Sequence, residues 1–199
     1  EIDSYEWLTK NTPKYSVVGS PSFSTMSRAQ LYTHNKIFVP NGYSTIASNN
    51  EIWERFLYIN KIFSVSPEMF LYLLTIEDAG GFNKSPANAD DLYPFFKPDL
   101  DRSAAYYLFH MRYHDTRPGS SFISEIPLAF SKKTIEEKLY EYTALFQSEF
   151  SPAPYKLDYL YFGPREQKLG QDPQTTYNEP LEKIYGQNGI KIYKMPELP

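Results

Sequence analysis

The sequence predicts an α/β or α+β domain of three layers, in which a mixed sheet is flanked by helices and ends in a C-terminal β-hairpin. Three observations carry this. Apolar residues recur at helical spacing in "NEIWERFLYINKIF" and "SKKTIEEKLYEYTALF". Short apolar runs of strand length, "YSVVGSP" and "KLDYLYFG", stand between the helical stretches. Finally, "LEKIYGQNGIKIYKM" places an Asn-Gly pair between two alternating segments, the signature of a tight hairpin. Helices interleaved with strands are what a sheet covered by helix layers requires.

Taken in order, "SYEWLTKNTP" reads as a short helix with Tyr5 and Leu8 at i and i+3, stopped by Asn11 and Pro13. "YSVVGSP" follows as a buried strand. A second strand is expected around Lys36 to Val39, and "PNG" then turns the chain, because proline fixes φ and glycine tolerates positive φ. Ser48, Asn49 or Asn50 caps the next helix, in which Ile52, Phe56 and Phe63 share an apolar face and Glu51 and Arg55 stand at i and i+4. Ser66 and Pro67 open "SPEMFLYLLTIED", with proline at the first helical position where its missing donor costs nothing, and Gly80 and Gly81 end it.

The stretch from about 78 to 101 is rich in Pro and Asp and reads as a loop-rich insertion within a single domain spanning 1–199. "DRSAAYYLFHMRYH" is then a helix or an aromatic strand, and "RPGSSFISEIP" a turn leading into a short strand. Ile135, Leu139, Tyr142 and Phe146 give the following helix its period, with Ser131 as cap. After it come the strand "KLDYLYFG", a turn or short helix at "PREQ", and the hairpin turning at Asn188 and Gly189.

Composition excludes several functions. The chain has 199 residues, 41% hydrophobic and 22% charged, which suffices for one well-buried core. A net charge of -4 and a pI near 5.5 lack the basic footprint of a nucleic-acid binder. The absence of cysteine removes disulfides, thiolate metal sites and thiol nucleophiles. The longest apolar run, "MFLYLL", falls far short of the roughly 18 residues of a membrane span. The chain begins at Glu1 without methionine or a basic and apolar leader, which reads as a processed product or an excised fragment, and a soluble fragment of a longer protein is the favoured reading. Aromatics at 17% fill a core, stack on sugars or line a membrane interface, and core filling is the plainest of these uses.

Residue chemistry by itself names no reaction. His110 and His114, followed by Asp115, would share a helix face as weak metal candidates, but Met111 stands where a zincin helix needs glutamate. His34 has no serine or cysteine elbow to complete a triad. Asp90, Asp91, Asp99 and Asp101 lack the alternation and central glycine of a calcium loop. No carboxylate pair stands out among 24 acids, and no glycine-rich phosphate loop is present. Neither a metal nor a cofactor is therefore assigned. Two places do display polar residues at the ends of elements. In the first, Asn41, Tyr43, Ser44 and Asn49 approach the start of a helix that carries Glu51, Trp53 and Arg55, a setting suited to anions or sugar hydroxyls. In the second, Arg165 and Glu166 follow the end of a strand. For both, capping plus an ion pair is the simpler use, with Gly163 and Pro164 turning the chain while Arg165 and Glu166 tie the turn to a neighbour.

Three segments carry a family resemblance: "YEWLTKNTPKYSVVGSP", "LYTHNKIFVPNGYSTIASNNEIWERF", and the run from "EEKLYEY" through "LDYLYFGPREQKLG" to "LEKIYGQNGIKIYKM". In this order they resemble the C-terminal extracytoplasmic domain of large multispanning membrane proteins related to the GT-C glycosyltransferases, which use lipid-linked sugar donors. Asp158, Gly163, Pro164 and Glu166 are the matching positions of the most specific segment, and residues 64 to 125 match nothing in that group. The resemblance implies a non-catalytic accessory domain at the extracytoplasmic face of the membrane, since the catalytic acid of such families lies between membrane helices. It also implies two partners, the membrane-spanning part of the same chain and a carbohydrate or lipid-linked sugar. A free-standing secreted sugar- or peptide-binding protein, or a small hydrolase using a carboxylate pair or His110 and His114, are the alternatives.

Overall fold

The computed structural model describes residues 1–40, 45–74, 132–149, 155–177 and 180–196. Their elements run α1 (Ile2–Asn11), β1 (Val17–Gly19), α2 (Phe23–Tyr32), β2 (Lys36–Ile37), α3 (Asn49–Ile62), α4 (Pro67–Leu74), α5 (Lys132–Gln147), β3 (Tyr159–Phe162), α6 (Glu166–Leu169), β4 (Glu182–Gln187) and β5 (Ile190–Lys194). The five strands form one sheet in the order β2-β1-β3-β5-β4. β2, β1 and β3 are parallel, while β5 is antiparallel to both β3 and β4, so the sheet is mixed and closes on the expected hairpin.

Side chains alternate across the sheet and separate two cores. On one face Val18, Tyr159, Tyr161 and Ile192 pack with Tyr5 and Leu8 of α1 and Met26 and Ala29 of α2. On the other, Val17, Leu160, Phe162 and Tyr193 pack with Ile52, Phe56 and Ile59 of α3, Phe70 of α4 and Tyr142 of α5. Helices thus cover both faces, and the three layers follow. The helix over 23–32 has no counterpart among the segments read from sequence. Its buried face consists of Thr25, Met26 and Ala29, whereas Leu31 and Tyr32 point outward at 78% and 60% exposure, so these two large apolar residues do not mark the buried face. A local signal does hold it: the Ser22 hydroxyl accepts the Thr25 N–H at 3.1 Å as N-cap.

Elsewhere local chemistry acts as expected. Ser48 caps α3 by accepting the Glu51 N–H at 3.2 Å. Asn188 and Gly189 turn the hairpin with φ of 53° and 73°, the left-handed pair that a two-residue turn demands. α4 and α5 are joined by the Tyr142 ring, stacked on Phe70 at 3.9 Å, whose hydroxyl donates to the Val65 carbonyl at 2.6 Å. The buried Lys61 ammonium of α3 donates to the Ser148 and Glu149 carbonyls at 3.0 and 2.8 Å, where a cation offsets the negative end of α5. No helix among the described residues is long and apolar enough to cross a membrane. The insertion at 78–101, the segments "DRSAAYYLFHMRYH" and "RPGSSFISEIP", the turn at Asn41 and Gly42, and the Ser131 cap lie outside the described residues.

Candidate functional site

β1 leads through α2 to β2 on one side, and β3 lies against β1 on the other. The carboxyl ends of β1 and β3 therefore flank the point where strand order reverses, the usual place for a ligand crevice in such sheets. From β1 the chain continues as Ser20, Pro21 and Ser22 into α2; from β3 it continues as Gly163, Pro164 and Arg165 into α6.

In this molecule the crevice is filled from within. Glu166 is 1% exposed. Its Oε1 accepts the Ser20 hydroxyl at 2.6 Å, and its Oε2 accepts the Gly163 N–H at 2.9 Å. Ser20 Oγ in turn accepts the Ser22 N–H at 2.9 Å, so one hydroxyl links the carboxylate to the start of α2. Burial pushes the Glu166 carboxyl above the usual carboxylate range, against the lowering effect of hydrogen bonds from Ser20 and Thr25. Gly163 leaves little room here, since a Cβ on it would lie 3.3 Å from Glu166 Oε2.

Two shells surround this carboxyl group. Inside, Tyr5 and Tyr161 stack at 5.6 Å; the Tyr161 hydroxyl shares a 2.9 Å hydrogen bond with Ser4, and the Tyr5 hydroxyl donates to the Thr25 carbonyl at 3.4 Å. Burial pushes Tyr161 up to about 12 and Tyr5 higher still, which keeps both as neutral phenols. Outside, the Glu1 carboxylate bridges Arg165 at 2.6 Å and Arg28 of α2 at 2.5 Å. Burial raises the Glu1 carboxyl, but the two guanidiniums override it and hold it below its ordinary value.

The residues singled out on α3 form a second group. Arg55 pairs with Glu51 at 2.5 Å, donates to the Phe38 carbonyl at 3.0 Å and lies 4.6 Å from the Tyr155 ring centre. The Tyr155 hydroxyl donates to Glu54, and that bond pushes the phenol up to about 12. Trp53 does not join them. It points into the core beside Phe56, with the Lys138 ammonium of α5 at 5.1 Å from its ring. Asn41, Tyr43, Ser44, His110 and His114 lie outside the described residues, and no cluster of metal-binding side chains occurs among those described.

Asp158 serves the sheet. Its Oδ2 accepts the Val17 N–H at 2.7 Å, while its own N–H donates to the Val17 carbonyl at 2.9 Å. It also borders a cleft of about 500 Å³ at the opposite end of the sheet, between the α1–β1 connection, the start of β3 and the end of β5, where Lys14, Lys156 and Lys194 converge.

Sequence reading named Arg165 and Glu166 but not Glu1, Arg28, Ser20, Thr25 or the lysine cleft. Only "GSPS" after a buried strand, with its capping serine, hinted at the first partner set. No family model matches the chain, and no curated protein or solved structure is significantly similar to it.

Proposed function

We propose that the chain is a non-catalytic extracytoplasmic accessory domain of a GT-C-like membrane glycosyltransferase that packs on the membrane-spanning part of its own protein. The supporting observation is the use made of the charged candidates. Glu51, Arg55, Arg165 and Glu166 are each spent on partners within the chain, and Glu166 plugs the crevice where a sheet of this kind would otherwise admit a ligand. Side chains so engaged fasten segments together.

The positions carrying the family resemblance have the same character. Asp158 locks β1 to β3, Gly163 and Pro164 turn the chain at the end of β3, and Glu166 joins that turn to the start of α2. Residues spent on architecture in this way suit a domain that presents a surface to a larger assembly.

The coding frame that contains Glu1 tests the reading. It is expected to encode several apolar stretches of about 20 residues upstream. A frame with a cleavable signal peptide and no such stretch would favour a secreted binding protein and sink the membrane assignment.

A further inference from the structure

At the end of the sheet opposite the Glu166 crevice, positive charge accumulates in a chain whose net charge is -4. Lys14 precedes β1, Lys156 precedes β3, and Lys194 ends β5; all three are exposed and line one cleft of about 500 Å³. The register explains the convergence, because Val18 stands beside Tyr159 and Tyr159 opposite Lys194, so three distant segments end side by side. Among the described residues Asp158 is the one carboxylate lining the cleft, and it is already engaged by the Val17 N–H at 2.7 Å and by Lys156 at 3.5 Å. Glu182 stands opposite Lys194 on β4 but does not line the cleft. Among the described residues, three lysines thus stand against one occupied carboxylate.

A second observation lies at its rim. Tyr15 has φ of 69°, a left-handed conformation that a tyrosine adopts only against resistance, and the residue is 58% exposed. Its N–H donates to the His34 carbonyl at 3.3 Å. The Lys14 and Lys36 ammoniums lie 5.0 and 5.7 Å from the centre of its ring. A strained, exposed aromatic thus holds Lys14 of the cleft and one further cation, Lys36, beside it instead of burying its own surface.

We propose that this cleft binds a phosphoryl-bearing ligand, with Lys14, Lys156 and Lys194 directed at the phosphoryl oxygens and Leu157, Tyr159 and Met195 seating the ligand's body. A phosphoryl group fits better than a carboxylate, because it carries up to two charges and three terminal oxygens, and three ammoniums approach from three segments. The volume lies within the range of small-ligand sites. The site stands on these lysines alone, whatever larger protein the chain belongs to. The phosphoryl group is that of a soluble phosphate ester or of a lipid headgroup.

Isothermal titration with glucose 1-phosphate and with inorganic phosphate, beside co-sedimentation with vesicles of phosphatidylcholine with and without phosphatidic acid, whose headgroup is a phosphomonoester, tests this and separates the sources. Saturable binding of glucose 1-phosphate assigns a soluble ester; binding confined to the phosphatidic acid vesicles assigns a headgroup. In either case Lys14→Ala, Lys156→Ala and Lys194→Ala should each weaken binding about fivefold or more, the order of one partly screened charge-assisted contact. Lys10→Ala, at a lysine that does not line the cleft and pairs with Glu6 on α1, should leave it unchanged. The proposal is overturned if no probe binds, if the cleft variants bind as the Lys10 variant does, or if acetate competes as well as phosphate at equal ionic strength.

Discussion

The Ser20 hydroxyl donates to Glu166 Oε1 at 2.6 Å across 146 positions of sequence, and this bond ties the carboxyl end of β1 to the turn after β3. Because the carboxyl group is buried and accepts from both Ser20 and Gly163, removing it strands two donors in the interior. Glu166→Ala should therefore cost about 2–4 kcal/mol in urea unfolding, and Ser20→Ala about 1–3 kcal/mol. In a double-mutant cycle the two should couple by at least about 0.5 kcal/mol. Strictly additive losses would show that the bond does not join the strand ends.

The acids of the molecule divide by the sign of their pH dependence. Glu166 is raised above its ordinary value of 4.5 by burial, so the folded state holds its proton more tightly than the unfolded chain. Its stabilising effect is complete below pH 4.5 and is lost as pH rises through the folded value. Asp172 behaves oppositely. Burial raises its carboxyl, but Lys191 at 2.6 Å, the Gln174 N–H and the Tyr193 hydroxyl together hold it below its ordinary value of 3.8. Its contribution is present above pH 3.8 and lost as pH falls through the folded value. Chemical unfolding across pH should thus show wild type losing stability relative to Glu166→Gln as pH rises above 4.5, and losing it relative to Asp172→Asn as pH falls below 3.8. Parallel curves for either pair would contradict the assigned environment.

Gly170 shows what close backbone approach demands. Its φ of -157° suits any residue, yet a Cβ there would sit 2.2 Å from the Phe63 carbonyl oxygen, which also accepts the Gln171 N–H at 2.6 Å. Main-chain atoms cannot yield as a flexible side chain does. Gly170→Ala should cost about 1–3 kcal/mol, whereas Gly186→Ala, whose Cβ would meet only the Lys183 side chain at 3.5 Å, should change stability by no more than about 0.5 kcal/mol. Paired thermal melts check the contrast, and equal shifts would refute it.

Legibility in the sequence followed the physical range of each interaction. α3 was readable because Ile52, Phe56 and Phe63 mark a broad apolar stripe and Ser48 a cap. The hairpin was readable because Asn188 and Gly189 accept left-handed backbone. α2 was not, since it buries Thr25, Met26 and Ala29 while exposing Leu31, and its burial depends on a sheet assembled from distant strands. The same distinction holds at the site. Glu166 was noticeable as a charge at a strand end, and the expectation that it ties the turn to a neighbour agrees with its bond to Ser20. That neighbour could not be named, because it becomes one only when β3 pairs with β1. Lys14, Lys156 and Lys194 are likewise unremarkable in sequence and converge only through strand register.

The central claim, that this chain works as the accessory domain of a membrane glycosyltransferase, is tested most directly by immunoblotting fractionated cells that express the native gene. A band well above 23.2 kDa that stays in the membrane pellet after an alkaline carbonate wash is expected. A band near 23.2 kDa released into the soluble fraction would contradict it.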